Sequence, residues 1–315
     1  DENDAMVRSK MQILLNLFRD NSVRLQDVRD DVQTGFATTD VADVNQILEN
    51  IANLNVSIKN SQILGNPALE LQDQRNSLLD ELGSYLPISV KYRDEEIGPN
   101  QYVEILDVNF TDSNGVKHSL ISDSRAAKFD TIINDKSAKL ILADDKGSTA
   151  DITDVLGSGT LKGTLDLINK SGDFDGSDFR GIGYYEKALD SLVATFAEKF
   201  NEMNIPRDKD DNQLTDQNGK PIFNPLFEKK DDSLPFSASN IKIASGWANG
   251  SYKITASNNY VVTNQETGST ANENILNMVK LLEKDIGFTV EVKDGTTTRD
   301  VKFFTGSFHD CFANL

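Results

Sequence analysis

The stretch Val44–Ile58, VNQILENIANLNVSI, carries apolar residues spaced alternately by three and four positions. On a helix this spacing makes one narrow stripe, which a partner element must cover. The stripe, called the α2 row below, consists of Val44, Ile47, Ile51, Leu54 and Ile58. We therefore predict a long helix over residues 40–62.

The same spacing occurs upstream and predicts a second long helix over residues 5–33. Its apolar residues are Val7, Met11, Leu14, Phe18, Leu25, Val28 and Val32. Asn21 interrupts them, either as a polar core residue that fixes helix register or because the helix turns that flank to water. Gly35 and the cluster Thr38–Asp40 separate the two rows, which predicts a stutter or a short break there.

A third helix is predicted over residues 67–85. Asn66 can cap it and Pro67 can occupy its first position, where the missing N–H has no cost. We expect it to end at Gly83, and in any case before Pro87, because the residue preceding a proline avoids helical geometry. Its row comprises Leu71, Arg75, Leu78 and Leu82.

From Ile88 the apolar period changes to two, which is typical of strands. Asn114-Gly115 predicts a hairpin, because both residues tolerate positive φ angles. Further strands are expected over 130–133, 139–142 and 150–155. Residues 88–157 are thus predicted to form a small β domain inserted into a discontinuous helical domain of residues 1–87 and 158–315.

In the second half, one helix is predicted over residues 183–203 as a bundle partner of the opening helices. Hairpins are expected where residues 241–245 and 252–256 flank Asn249-Gly250, and around Asp294-Gly295. Two helices complete the prediction, over residues 272–284 and from Phe308 onward. The fold class is therefore α+β: an elongated helical bundle of coiled-coil-like helices and small hairpins, with the inserted β domain.

Composition restricts the partners. Fifty acidic and 32 basic residues give the 315-residue chain a net charge of −18. Such a surface repels phosphate backbones and anionic lipids, so we expect no nucleic acid and no membrane insertion. Cys311 is the single cysteine and is interpreted as a small core residue. The chain has no signal-peptide pattern and opens within a helix, so we expect it to be an internal portion of a longer protein.

A search for chemistry predicts no catalytic, cofactor-binding or metal-binding residues. His118 and His309 fall in different predicted elements, and no nucleophile motif or phosphate-binding loop is present. A hydrolase that uses an unrecognised pair of carboxylates stays open as an alternative.

Calcium is the metal to consider. Asp208, Asp210 and Asn212 have the spacing that opens a calcium loop, but Gln213 replaces the sixth-position glycine and Gly219 the twelfth-position glutamate. The acids Asp173, Asp175 and Asp178 also lack the spacing. Solvated loops are the favoured interpretation of both groups.

Five segments follow one another in a distinctive order and spacing: the helix Val44–Ile58, the motif Leu71–Leu82 (LQDQRNSLLDEL), the segment Gly159–Leu167, the helix Leu189–Asn201 and the loop Asp216–Phe223. Over about residues 40–315, this series resembles the flagellar hook-associated protein 1 family. The chain departs from the family pattern at Asn76, where the last aspartate of the motif is usual, and near Asn204, where a histidine is usual.

The resemblance implies a structural subunit of the bacterial flagellum without enzymatic activity or cofactors, forming the junction between hook and filament. It implies copies of the chain in a ring, with the hook protein and the next hook-associated protein as neighbours. It also implies an extracellular location, reached through the flagellar export channel without a cleaved signal. The terminal helical segments of the family would be missing here, so we expect this chain to be monomeric or at most weakly associated.

Two rivals remain besides the hydrolase. A surface adhesin or binding module would use the inserted β domain as its ligand site. The second rival, flagellin or the filament cap protein, is closer to the favoured interpretation than the adhesin is. The motif over Asp73–Leu82 disfavours this second rival.

Overall fold

The computed structural model describes residues 2–172, 174, 179–208, 210–256, 272–294 and 296–315. Long helices and small antiparallel sheets confirm the α+β class. Contacts group the chain into two compact units: unit 1 comprises residues 1–26 and 171–315, and unit 2 comprises residues 27–170. These units do not follow the predicted division, since residues 88–157 lie within unit 2. Independent folding of residues 88–157 stays a prediction.

Unit 2 contains the end of the first helix, a π-helical turn, three further helices and seven strands. In chain order they are α1 (Glu2–Gly35, of which residues 27–35 belong to this unit), the π turn Phe36–Asp40, α2 (Val41–Ile63), α3 (Leu69–Tyr85), β1 (Ile88–Gly98), β2 (Gln101–Thr111), β3 (Lys117–Ser122), β4 (Arg125–Ala126), β5 (Lys128–Asn134), β6 (Ser137–Ala143), β7 (Thr149–Asp151) and α4 (Thr160–Asn169). The strands form two antiparallel sheets, ordered β1-β2-β3-β4 and β5-β6-β7. The predicted hairpin at Asn114-Gly115 is confirmed as β2–β3.

The α2 row is buried in one core with α3, α4 and both sheets. Because a sheet covers a wider stripe than a single helix does, the buried face of α2 also includes Leu48 and Asn55. Leu54, predicted in the row, is only half-buried. The partner of the row therefore differs from the predicted helix bundle.

The predicted stutter is the π turn Phe36–Asp40. Around this turn, buried residues are spaced by three or four positions, except for the step of five from Phe36 to Val41: Arg29, Gln33, Phe36, Val41, Val44 and Ile47. A π turn accommodates one extra residue, so it keeps the buried face in phase across that step.

The start of α3 differs from the prediction. Ala68 precedes the helix in left-handed geometry (φ 54°), and Leu69 is its first residue. Asn66 accepts a hydrogen bond from the Ala68 N–H at 3.1 Å, so it stabilises the turn and does not cap the helix. The helix also continues past Gly83 to Tyr85. Helix α3 begins later than predicted because α2 runs to Ile63 and the chain reverses from Gly65 (φ 81°).

The return from the strands to α4 depends on Gly159, whose φ is 98°. A Cβ atom there would lie 2.3 Å from the carbonyl oxygen of Tyr85. Only glycine fits this close approach at positive φ.

The described residues of unit 1 include residues 2–26 of α1 and eight further elements. They are α5 (Ile182–Met203), β8 (Phe227–Lys229), β9 (Ile241–Ile243), α6 (Ser245–Ala248), α7 (Glu273–Glu283), β10 (Ile286–Asp294), β11 (Thr297–Gly306) and α8 (Phe308–Ala313). Leu15 and Phe18 of α1 share an aromatic-rich core with the apolar row of α5, as predicted for the opening helix. The predicted helices at 183–203 and 272–284 and the β10–β11 hairpin are confirmed.

The predicted pairing of residues 241–245 with 252–256 is wrong. Strand β9 pairs instead with β8, through Phe227 opposite Ile243. The chain turns into α6 directly after β9, because Glu228 accepts hydrogen bonds from the N–H and hydroxyl of Ser245 at 3.1 and 3.0 Å. Asn249-Gly250 then follows a helix and does not join two strands.

Candidate functional site

The calcium-like spacing at Asp208 belongs to a recurring turn. Four turns begin at Asp112, Asp144, Asp208 and Asp216, and in each the Oδ1 atom accepts the N–H groups two and four residues later at 2.7–2.9 Å. The fourth residue of each turn has a positive φ. An aspartate that binds its own backbone in this way is a local turn device. The spacing of Asp208, Asp210 and Asn212 thus has a structural explanation.

The other acidic cluster lies outside the described residues at Asp173, Asp175 and Asp178. Within the described part of the chain, no group of three or more histidine, cysteine or acidic side chains is arranged to hold a metal ion. That these loops bind no calcium stays a prediction.

His118 has a structural partner in its own hairpin. Its Nε2 lies 3.0 Å from Asp112 Oδ2, and its ring stacks on Phe110 at a centroid distance of 5.1 Å. The hydrogen bond with His118 lowers the pKa of Asp112, and the N–H groups of Val116 and Asn114 reinforce the shift against the effect of burial. This arrangement closes the β2–β3 turn.

The remaining sulfur and imidazole groups lie in unit 1. Cys311 is buried, and burial raises the pKa of its thiol to about 12, so the thiol is a poor nucleophile at neutral pH. His309 is exposed beside an apolar groove of about 330 Å³. The groove is lined by Leu14, Leu17, Phe18, Leu192, Phe196, Leu282, Phe308, His309 and Phe312.

Asn21, the polar interruption of the first row, donates to the carbonyl of Leu17 at 2.9 Å within its own helix. This bond lies at the surface, which favours the interpretation that the helix turns that flank to water.

The predicted Arg75 position is the centre of a polar network in unit 2. Arg75 is 2% exposed; it donates to Asn55 Oδ1 at 2.9 Å and to Glu104 at 2.5 Å. Its guanidinium also lies 5.6 Å from the ring centre of Tyr92. One side chain thus connects α3 with α2, β1 and β2, because a guanidinium presents several donors in a fixed plane.

Sequence reasoning missed the asparagines whose side chains bind backbone groups of strands and loops. Asn45 accepts from the N–H of Phe129 and donates to its carbonyl, and Asn169 does the same with Ala138, at 2.7–2.9 Å. Asn204, noted above only as a departure from the family pattern, is buried and binds the backbone of Asn224 and Thr255. The signal in the sequence that could have indicated these contacts was the presence of asparagines beside predicted apolar rows. Asn76, the other departure, is exposed.

Two exposed surfaces carry several large apolar residues each. The first, the hairpin tip, lies in unit 2 and consists of Ile63, Leu64, Leu69, Ile97 and Tyr102. The second, the α1 face, lies in unit 1 and consists of Met6, Lys10, Ile13, Leu17 and Arg24. Large exposed apolar groups that cluster in this way are typical of interaction sites.

Comparison with known proteins gives the class first. The chain matches the model of the flagellar hook-associated protein FlgK helical domain over residues 3–223. This match identifies a structural protein of the flagellum. The chain belongs to the flagellar hook-associated protein FlgK family.

One similar solved structure is that of the flagellar hook junction protein FlgK from Burkholderia pseudomallei, with 19% identity and a TM-score of 0.49. The match covers 71% of this chain and 36% of that one, so the chain spans about a third of its length. No curated protein matches the chain. Among the described residues, no helix is long and apolar enough to cross a bilayer.

Proposed function

We propose that this protein is a structural subunit of the junction between the flagellar hook and the filament. The observation that carries the proposal is the family match over residues 3–223, which includes all of unit 2 and the helix α5 of unit 1. Copies of the chain form a ring around the axis, between the hook protein on one side and the next hook-associated protein on the other. The protein reaches this extracellular site through the flagellar export channel without a cleaved signal, and it performs no catalysis.

The architecture supports this role. Helices and sheets that are joined by side-chain hydrogen bonds suit a structural subunit that transmits force. Directional contacts such as those of Arg75 and Asn45 resist sliding of one element on another. The titratable groups considered above, Asp208, His118 and Cys311, each have a structural explanation.

The adhesin alternative lacks a comparable observation. A binding face on residues 88–157 needs exposed aromatic side chains, and only Tyr92 and Tyr102 in that range are large exposed aromatics. The Arg75 guanidinium already lies over the ring of Tyr92.

The test is deletion of the gene in the source bacterium. We expect cells that retain hooks, lose attached filaments and no longer swim, with both defects reversed by the wild-type gene. Cells that still carry filaments and swim after the deletion would overturn the proposal. Loss of surface attachment with normal swimming would favour the adhesin.

A further inference from the structure

The hairpin tip brings two turns to one end of unit 2. Near the end of α2, Gln62 Oε1 accepts the N–H of Glu104 at 2.9 Å, and Lys59 Nζ lies 3.0 Å from Glu95 Oε2. Glu95 and Glu104 are both close to the turn that joins β1 to β2, where Gly98 pairs with Gln101. The α2–α3 turn and the β1–β2 turn therefore lie at the same end.

This tip is apolar with an acidic rim. Leu64 is 86% exposed and Leu69 is 64% exposed. Residues 59–73 and 92–104 together contain six acidic residues and two basic ones. Glu70 and Glu96 are exposed next to Leu69 and Ile97. The tip therefore favours a partner that is apolar and basic.

The α1 face has that character. Met6, Lys10, Ile13 and Leu17 follow steps of four, three and four, and Arg24 comes two turns later, so these residues share one face. Residues 5–26 contain four basic residues and one acidic residue, in a chain whose net charge is −18. Ile13 is 60% exposed, and Leu17 also lines the 330 Å³ apolar groove of unit 1.

We propose that the hairpin tip of one copy docks on the α1 face of the next copy, with Leu64 directed to the apolar groove beside Leu17. A ring requires a heterologous interface, in which two different surfaces of the same chain meet. Contact between two tips is disfavoured because it brings Glu70 and Glu96 of both copies together. The inference rests on the proposed function, since it names the surfaces through which ring neighbours meet.

The first test is disulfide cross-linking between Leu64→Cys and Ile13→Cys variants. The native Cys311 is buried with a raised thiol pKa, so the introduced cysteines are the reactive ones. On mild oxidation of an equimolar mixture, we expect the mixed dimer to exceed that of Leu64→Cys with Ile132→Cys by about tenfold. Ile132 is a matched control because it is also a half-exposed isoleucine. A mixed dimer no more abundant than this control overturns the proposal.

The second test is a charge swap, measured by sedimentation at low salt. Lys10→Glu with Arg24→Glu reverses the α1 face, and Glu70→Lys with Glu96→Lys reverses the tip. Each variant alone is expected to lose the weak association of the wild-type chain, whereas the mixture regains it, because each reversed surface meets an oppositely charged partner. A mixture that stays as monomeric as the single variants contradicts the proposal, provided that circular dichroism shows both to be folded.

The two proposals fail in different ways. A chain that is required for filament attachment but shows neither the cross-link nor the charge-swap rescue refutes these contact surfaces and leaves the junction role standing. A chain that passes both solution tests but is dispensable for filament attachment refutes the junction role.

Discussion

Units 1 and 2 bury different kinds of side chains. The core of unit 1 is rich in aromatic rings: Phe18, Phe196, Phe200, Phe227, Trp247, Phe288 and Phe308. The core of unit 2 is mainly aliphatic, and this unit also buries the guanidinium groups of Arg29 and Arg75. In unit 1 the buried polar side chains of the described residues are asparagines and one serine. Packing of aromatic side chains thus positions the elements of unit 1, whereas directional polar contacts supplement aliphatic packing in unit 2.

The largest expected effect is loss of an aromatic ring from unit 1. Phe196 contacts Phe18, Phe200, Phe227 and Phe308 at centroid distances of 4.5–5.9 Å. Phe196→Ala should lower the free energy of unfolding by about 3–5 kcal/mol, measured by chemical denaturation. Phe223→Ala is the control, because Phe223 is exposed, and it should change stability by about 0.5 kcal/mol or less. Equal effects of the two substitutions would contradict the aromatic-core account.

The next effect tests the buried guanidinium of unit 2. Arg75→Met should destabilise by about 3 kcal/mol, because it leaves Asn55 and Glu104 without their shared donor. Arg93→Met is the matched control: Arg93 pairs with Asp107 at the surface, and such pairs contribute about 0–1 kcal/mol. If Arg75→Met were as mild as Arg93→Met, unit 2 would depend on aliphatic packing alone.

A smaller effect depends on pH. Since the folded state lowers the pKa of Asp112, its carboxylate stabilises the fold above the unfolded-state pKa of about 3.9. That contribution is lost as the pH falls through the lower folded-state value. Asp112→Asn should therefore reduce the melting temperature at neutral pH, and the difference from wild type should shrink on acidification. Asp73→Asn, on the exposed face of α3, serves as control. A deficit for Asp112→Asn that stays constant down to acid pH would contradict the assigned role.

The smallest effect is expected at the π turn. Deletion of the exposed Thr39 shortens the step between Phe36 and Val41 to four residues, which an ordinary α-helix accommodates. The melting temperature should change by a few degrees at most, equivalent to about 1 kcal/mol. Deletion of Ala52, within the buried face of α2, should unfold unit 2 because it rotates the rest of that face by about 100°. If the Thr39 deletion were as harmful as the Ala52 deletion, the π turn would have a role beyond keeping phase.

Much of the fold was predictable because apolar spacing reports which elements form. The period change at Ile88 predicted the strands, and Gly35 with the cluster Thr38–Asp40 predicted a stutter or a short break where the π turn lies. Partner choice was harder, since the spacing of the α2 row shows that it is buried but not whether a helix or a sheet covers it. Strand β8 has three residues and no alternation to signal it, so apolar spacing could not predict its pairing with β9.

The candidate surfaces were less predictable than the fold. Leu64 and Leu69 look like any other leucine in the sequence, and only the geometry of the α2–α3 turn exposes them. The prediction that the chain has no catalytic, cofactor-binding or metal-binding residues rested on the lack of recognisable motifs in the sequence. The calcium-like spacing at Asp208 shows why spacing alone misleads, because the turn and the metal loop both place aspartates two residues apart.

The most direct test of the central claim is the location of the protein on the flagellum. Antibody raised against this chain and coupled to gold can be applied to purified hook–filament complexes and viewed by electron microscopy. The account predicts label concentrated where the hook meets the filament, and none on complexes from the deletion strain. Label distributed along the filament, or on the cell surface away from flagella, would contradict it.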